Sequence, residues 1–168
     1  KAAQLSPWRT DGRGLARRIG GWWTRHMDAT DFGKVCRSGR LSDVFISYAR
    51  ANESVARRVA DAVRAAGYRV WRDDAIPAHR PFADVIKERL DASKAVIVIW
   101  SAESAKSHWV QSEADHARIQ GKLVQMTIDG APLPMPFDRI QCEMLPGWTG
   151  DVEVAGFRKV LESLLALA

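Results

Sequence analysis

The segment that most constrains the fold is Ala95-Val-Ile-Val-Ile99, in which five consecutive residues are apolar. A strand with one face in water alternates polar and apolar residues, whereas a strand covered on both faces is apolar throughout. Even with Trp100 added, the run is far shorter than the roughly 20 residues that a helix needs to cross a bilayer. The segment therefore predicts the central strand of a parallel sheet in a soluble domain.

Predicted strands and helices alternate on both sides of this segment. Further strands are expected at 44–46, 68–71 and 123–128, and a short fifth strand is expected within 139–145. Helices are expected after Asn52, after Pro81, from Ser107 to about Gln120, and near the end of the chain. The first, second and last of these have apolar stripes at helical spacing, formed by Val55, Val59, Ala62, Val63 and Ala66, by Phe82, Val85, Ile86 and Leu90, and by Val154, Phe157, Val160, Leu161, Leu164 and Leu165.

Capping residues agree with these helix limits. Asn52 and Ser107 suit the N-cap, Pro81 suits the first helical turn, and Gly67 and Gly121 suit the position after the last turn. Repeated short strand–helix units imply right-handed crossovers. The pattern therefore predicts an α/β fold with a five-stranded parallel sheet and helices on both faces.

Charge divides the chain of 168 residues into two parts. Residues 1–40 carry nine Lys or Arg and three Asp, a net charge of +6, whereas residues 41–168 carry sixteen basic and seventeen acidic side chains. We therefore expect a basic N-terminal arm or linker at 1–40 and one domain at 41–168. Because this domain is nearly neutral, its surface is not expected to bind nucleic acid.

The N-terminal arm allows two interpretations. A short helix is expected from Leu15 to Met27, and a basic helix that contains Trp22 could lie on a membrane surface. The favoured alternative is a linker or an arm that packs on a neighbouring domain. Because the first residue is Lys1, we expect the sequence to be a fragment or a trimmed chain. An N-terminal signal that has been removed and a further domain outside the fragment are both compatible with this expectation.

Cysteine and histidine spacing gives no sign of a metal site. Cys36 and Cys142 are far apart in the sequence, which favours a reducing, cytoplasmic compartment. His108 and His116 lie eight residues apart on one predicted helix without a third ligand, so they are interpreted as surface histidines. The glycine-rich motifs of dinucleotide-binding and P-loop proteins are absent from the sequence. We therefore expect no bound cofactor.

The helix that starts after Ser107 carries the most suggestive carboxylate. Val110, Ala114 and Ala117 form its core stripe, and Glu113 lies at the edge of that stripe, one turn after Trp109. A partly desolvated carboxylate near the carboxyl end of a buried strand is typical of a functional site. The alternative is a glutamate at the rim that packs on the indole and has no function. Spacing alone favours that alternative.

The segment Asp43-Val-Phe-Ile-Ser-Tyr-Ala-Arg50 resembles the opening motif of Toll/interleukin-1 receptor (TIR) domains. The later segments follow in the order found in that family. They are Gly67-Tyr-Arg-Val-Trp71, Asp73-Asp74, the loop to Phe82, the strand Val96–Trp100, and Ser107-His-Trp109 with Glu113. The resemblance covers roughly residues 42–148, is closer to bacterial than to receptor TIR domains, and implies a flavodoxin-like three-layer fold.

The resemblance also implies the roles of individual residues. Glu113 matches the glutamate that NAD-cleaving members need for catalysis, and Trp109 matches a tryptophan that lines the nicotinamide side of the cleft. The substrate-binding residues implied in this way are Ser47, Tyr48, Arg50, Asp73, Ser101 and Trp109.

The BB loop of the family, which commonly contacts a neighbouring TIR domain, corresponds to the segment after Asp73. The assembly residues implied here are Ile76, Pro77, Arg80 and Phe82. The family often has a Pro-Gly pair in this loop, whereas Ile76-Pro77 here leads into Ala78-His79-Arg80-Pro81. This departure bears on the geometry of assembly more than on the chemistry.

Together these features imply a bacterial NAD+ glycohydrolase that is activated by self-assembly and acts in antiphage defence or against a host. NAD+ would be its substrate and other TIR protomers its partners. The alternative is a non-catalytic signalling adaptor that binds other TIR domains. A receiver-type module is set aside, because the acidic pair Asp73-Asp74 follows the second strand and no aspartate ends the third.

Overall fold

The computed structural model describes residues 43–72 and 82–167. Its strands are β1 (Asp43–Ser47), β2 (Arg69–Trp71), β3 (Ala95–Trp100), β4 (Leu123–Thr127) and β5 (Cys142–Met144). Its helices are α1 (Glu53–Ala65), α2 (Phe82–Ala92), α3 (His108–Ile119) and α4 (Ala155–Leu167). The N-terminal arm and the helix-starting role of Pro81 lie outside the described residues. These expectations, and the domain boundary at residue 41, stay predictions.

The sheet is parallel throughout, with strand order β2-β1-β3-β4-β5. This is the flavodoxin-like order, so the predicted fold class is confirmed. β1 and β3 pair directly, and Ser47 lies opposite Val98. In this order the chain reverses direction across the sheet between β1 and β3, which makes their carboxyl ends the expected position of a ligand cleft.

The central strand β3 is buried at all six positions, as its composition predicts. On one face of the sheet, Phe45 of β1 and Val96, Val98 and Trp100 of β3 form a single core with α2 and α3. That core includes Ile86 and Leu90 from α2 and Val110, Ala114 and Ala117 from α3. Side chains of a strand alternate between faces, so residues of β1 at odd positions point toward α3.

Helices α1 and α3 end at the glycines that were predicted to terminate them. Gly67 has φ +96°, and the N–H groups of Gly67 and Tyr68 donate to the carbonyls of Arg64 and Val63. Gly121 has φ +68° and ends α3 with the same pair of hydrogen bonds. Both are Schellman motifs, in which glycine takes the left-handed conformation without steric cost. At the other end of α3, Ser107 caps the helix by accepting from the N–H of Val110.

The expectation for Asn52 is corrected by the structure. Asn52 does occupy the N-cap position of α1, but its side chain makes no capping hydrogen bond. Its Oδ1 instead accepts a hydrogen bond from the Ser101 hydroxyl at 2.7 Å. The Asn52 side chain, which local sequence rules predict to cap α1, therefore hydrogen-bonds to Ser101, a residue far away in the sequence.

Lys122, which is distant in the sequence from α2, caps the carboxyl end of that helix. Its ammonium group is buried and donates to the carbonyls of Leu90 at 2.6 Å and Ser93 at 3.1 Å. A cation near the last carbonyls of a helix also complements the helix dipole. Burial lowers the pKa of Lys122, and Asp91 partly opposes this effect. In the described parts of the chain, no helix has the length and apolar character to cross a membrane.

Candidate functional site

The candidate site lies where β1 and β3 end. β1 ends at Ser47, and β3 ends at Trp100, followed by Ser101. After Ser47 the chain continues with Tyr48, which is half-buried, and with Arg50, which is exposed in a short 3-10 turn before α1. Helix α3 begins shortly after β3 and passes behind the end of β1.

The Glu113 carboxylate is held at the end of β1. Because Ser47 shares the odd positions of β1 with Phe45, its side chain points to the face that α3 covers. Glu113 belongs to the buried face of α3 together with Val110, Ala114 and Ala117. The Ser47 Oγ donates to the Glu113 Oε2 at 2.5 Å. The two residues are 1% and 7% exposed, so this is a buried carboxylate rather than a surface one.

Trp109 supplies an exposed aromatic surface one helical turn before Glu113. The residue is 44% exposed, whereas Val110, Glu113, Ala114 and Ala117 of the same helix are buried. The Trp109 indole is not part of the hydrophobic core on this face of the sheet. The buried aromatic residues of that core are Phe45, Trp100 and Phe137. The buried carboxylate and the open indole therefore lie on the same stretch of α3.

Ser101 is built into a hydrogen-bonded turn behind β3. Its hydroxyl donates to Asn52 Oδ1 and accepts from the N–H of Ser104, and its own N–H donates to the Ser104 hydroxyl at 2.6 Å. Ser101 and Ser104 are both buried. These contacts give Ser101 a structural task in the wall of the cleft. Its role in substrate binding stays a prediction.

Asp129, which the sequence interpretation missed, joins the loops after β3 and β4. Its Oδ2 accepts from the N–H of Ala102 at 2.8 Å, and its Oδ1 accepts from the N–H of Ala131 at 3.0 Å. Desolvation acts to raise the pKa of Asp129, but these backbone hydrogen bonds prevail and lower it. The Asp129-Gly130 pair at a strand end is a turn signal that could have identified this residue.

Several predicted site residues lie outside the described part of the chain. These are Asp73 of the substrate set and Ile76, Pro77 and Arg80 of the assembly set. Phe82 begins α2, but its side chain is likewise outside the description. Their roles stay predictions.

The two histidines of α3 are separate from the cleft residues. The Nε2 of His116 contacts the Asp91 Oδ1 at 2.5 Å, and Gln120 Nε2 donates to the same oxygen at 3.1 Å. His108 is exposed. Within residues 43–72 and 82–167, no group of three or more His, Cys, Asp or Glu could hold a metal ion.

The arrangement of Glu113 and Trp109 suits a ligand with a positively charged, planar ring. An aromatic face attracts a cation, and a desolvated carboxylate stabilises positive charge more strongly than one in water. Glu113 and Trp109 therefore combine the two kinds of group, a carboxylate and an aromatic face, that attract a cationic ring.

A TIR domain family profile matches residues 44–161, more than half of the chain. A protein of Cytobacillus dafuensis, TIR2, whose name marks it as a candidate cyclic ADP-D-ribose synthase, is 29% identical over 91 residues. That match covers 49% of this chain and 24% of the relative. The chain thus spans about a quarter of the length of this curated relative.

Solved structures of TIR proteins have the same fold. The TIR domain of the Toll-related receptor TRR-2 from Hydra magnipapillata matches with a TM-score of 0.62 and 17% identity, over 73% of this chain and 98% of that one. A TIR-STING receptor from C. gigas in complex with 2′,3′-cGAMP matches with a TM-score of 0.60 and 24% identity, over 76% of this chain and 40% of that one. The TIR domains of the activated Roq1 resistosome match with a TM-score of 0.56 and 16% identity, over 73% and 99%. With a profile match over most of the chain and this shared architecture, the protein belongs to the TIR domain family.

Proposed function

We propose that this TIR domain is an NAD+ glycohydrolase that cleaves the bond between nicotinamide and ribose. One observation carries the proposal. A carboxylate, Glu113, is buried at the carboxyl end of β1, one turn after the half-exposed indole of Trp109. Desolvated ionisable groups at the carboxyl ends of parallel strands cluster at functional sites, which supports a catalytic role for Glu113 over packing on the indole alone.

The chemistry needs no general acid. When the glycosidic C–N bond breaks, its electron pair goes to the pyridinium nitrogen, so nicotinamide leaves as a neutral ring. Positive charge develops at ribose C1′ and the ring oxygen. The Glu113 carboxylate stabilises this charge electrostatically and accepts hydrogen bonds from ribose hydroxyls.

A nucleophile then completes the reaction. A water oxygen bonds to C1′ and releases a proton to solvent, which gives ADP-ribose. If an adenine nitrogen of the same molecule bonds to C1′ instead, no water is added, the adenine releases a proton to solvent, and the product is a cyclic ADP-ribose. Trp109 packs on the pyridinium ring before cleavage, a cation–π contact of about 0.5–2 kcal/mol. Ser47, Tyr48, Arg50, Asp73 and Ser101 border the substrate in this proposal.

The named bacterial relative supports this class of activity. Its name includes the synthesis of cyclic ADP-D-ribose, a product that forms when NAD+ loses nicotinamide. The identity of 29% and the coverage of a quarter of that protein keep its activity a proposal for this chain.

We further propose that the enzyme is activated when protomers assemble through the BB loop, at Ile76, Pro77, Arg80 and Phe82. Its proposed setting is the bacterial cytoplasm, in defence against phage or in interference with a host. NAD+ is the substrate and not a resident cofactor. Other TIR protomers are its partners, together with a further domain outside this sequence.

The test is to incubate the protein with NAD+ over a range of protein concentrations and to separate the products by chromatography. Free nicotinamide, together with ADP-ribose or a cyclic ADP-ribose, is the expected result. The second candidate function is the non-catalytic adaptor. A protein that associates with itself but releases no nicotinamide at any concentration would establish the adaptor and end the enzymatic proposal.

A further inference from the structure

Ser47 is too deeply buried for a residue whose main function is direct contact with the substrate. It is 1% exposed, and its hydroxyl donates to Glu113 Oε2 at 2.5 Å. A serine hydroxyl has one hydrogen to donate. In this structure that hydrogen is directed at the carboxylate and not at the cleft.

We infer that Ser47 is a positioning residue, which fixes the orientation of the Glu113 carboxylate through the contact between Ser47 Oγ and Glu113 Oε2. This inference rests on the proposed NAD+ cleavage. It replaces the expected direct contact of Ser47 with the substrate by an action through Glu113.

The backbone makes Ser47 a suitable anchor. It ends β1, and its backbone is held in register opposite Val98 of the fully buried strand β3. Glutamate has three side-chain torsions and loses considerable rotamer freedom on burial. A hydrogen bond from a rigid strand end selects one orientation of the carboxylate and directs the other oxygen, Oε1, away from Ser47.

The neutral character of the donor also matters. A hydroxyl supplies a charge-assisted hydrogen bond to an ionised carboxylate but brings no positive charge of its own. A lysine or arginine in this position would neutralise the charge that stabilises the cationic ribose. Serine therefore orients the carboxylate without adding a positive charge of its own.

The kinetic test compares Ser47→Ala with the wild type. The expected result is a fall in kcat of about tenfold, equivalent to about 1.4 kcal/mol, with KM changed less than about twofold. Ser93→Ala is the matched control, because Ser93 is 5% exposed and its hydroxyl donates to the Leu90 carbonyl at 2.7 Å. Ser93 precedes the amino end of β3, whereas Ser47 lies at the carboxyl end of β1, so the two serines are at opposite ends of the paired strands. Ser93→Ala should leave kcat unchanged. A rise in KM with unchanged kcat in Ser47→Ala would overturn the inference in favour of direct substrate contact.

A pair of variants separates the hydroxyl from the shape of the side chain. Ser47→Thr and Ser47→Val have nearly the same volume, both are β-branched and suit a strand, and they differ in the hydroxyl. Ser47→Thr should have a several-fold higher kcat than Ser47→Val. Equal rates in the two variants would refute a positioning role for the hydrogen bond, even if the extra methyl group slows both.

Urea unfolding tests the coupling independently of activity. Ser47→Ala should lower the unfolding midpoint of the wild type, and this shift should be at least halved in a Glu113→Ala background. The shift caused by Ser93→Ala should be the same in both backgrounds. A Ser47→Ala shift that is equal in both backgrounds would overturn the inference. If the wild type releases no nicotinamide, the proposed function fails, and this cycle still decides the coupling of Ser47 to Glu113.

Discussion

Replacing Glu113 with glutamine removes the negative charge but keeps the size of the side chain. The magnitude of the effect depends on the burial of the residue, which is 7% exposed. At an effective dielectric constant of about 20, a full charge about 4 Å from a developing cation contributes about 4 kcal/mol, whereas in bulk water it contributes about 1 kcal/mol. The buried position therefore predicts a loss in kcat of about 10³-fold, and an exposed one only about fivefold.

The assay is nicotinamide release at saturating NAD+, measured for wild type and Glu113→Gln at the same high protein concentration. The glutamine carbonyl can still accept from Ser47, so the fold and the circular dichroism spectrum should not change. Glu113→Ala, which also removes the hydrogen bond, should lose at least ~10²-fold.

Asp115→Asn is the matched control for Glu113→Gln. It also neutralises a carboxylate of α3, but Asp115 pairs with Arg118 at 2.8 Å on the other side of the helix. Its rate should stay close to that of the wild type. A Glu113→Gln rate within about fivefold of the wild type would refute the electrostatic reasoning, since that is the effect expected of a fully hydrated carboxylate.

The remaining predictions concern the indole, the assembly loop and the loop after β4. Trp109→Ala should reduce kcat/KM by about 2- to 30-fold, as the loss of a cation–π contact of about 0.5–2 kcal/mol implies, and an unchanged rate would place the indole outside the substrate cleft. Pro77→Ala and Arg80→Ala should lower activity most at low protein concentration, and a specific activity that does not depend on concentration in the wild type would contradict the assembly requirement. Asp129 has a lowered pKa, so its stabilising effect is present above the ordinary carboxyl pKa of about 4 and is lost as pH falls below it. The thermal midpoint of the wild type should therefore fall more steeply than that of Asp129→Ala between about pH 5 and pH 3, and parallel curves would show that Asp129 does not contribute.

Rules that act within a few residues predicted most of the fold. The apolar segment Ala95–Ile99 was expected to form the central strand, and β3 is buried along its whole length. Gly67 and Gly121 were expected after helix ends, and both take the left-handed conformation there. A short fifth strand was expected within residues 139–145, and β5 occupies Cys142–Met144. Its exact limits depend on pairing with the neighbouring strand β4 as well as on the sequence.

Tertiary contacts decided the positions where local rules failed. Asn52 is of a residue type that is preferred at the N-cap, yet its side chain hydrogen-bonds to Ser101, which lies 49 residues further along the chain. Lys122 follows the glycine that ends α3, and nothing in its local sequence indicates that it would be buried at the end of α2. In both residues the polar side chain hydrogen-bonds to a partner that is distant in the sequence and is brought close by the fold.

The sequence by itself determined the elements, a parallel sheet and the faces that the elements bury, because hydrophobic periodicity and capping depend on short spacings along the chain. It also placed Glu113 at the edge of a helical stripe, with its function undecided. Only the tertiary structure brought that carboxylate to Ser47, 66 residues away. Sheet order and helix packing fix such a contact, and they depend on the simultaneous burial of the whole core.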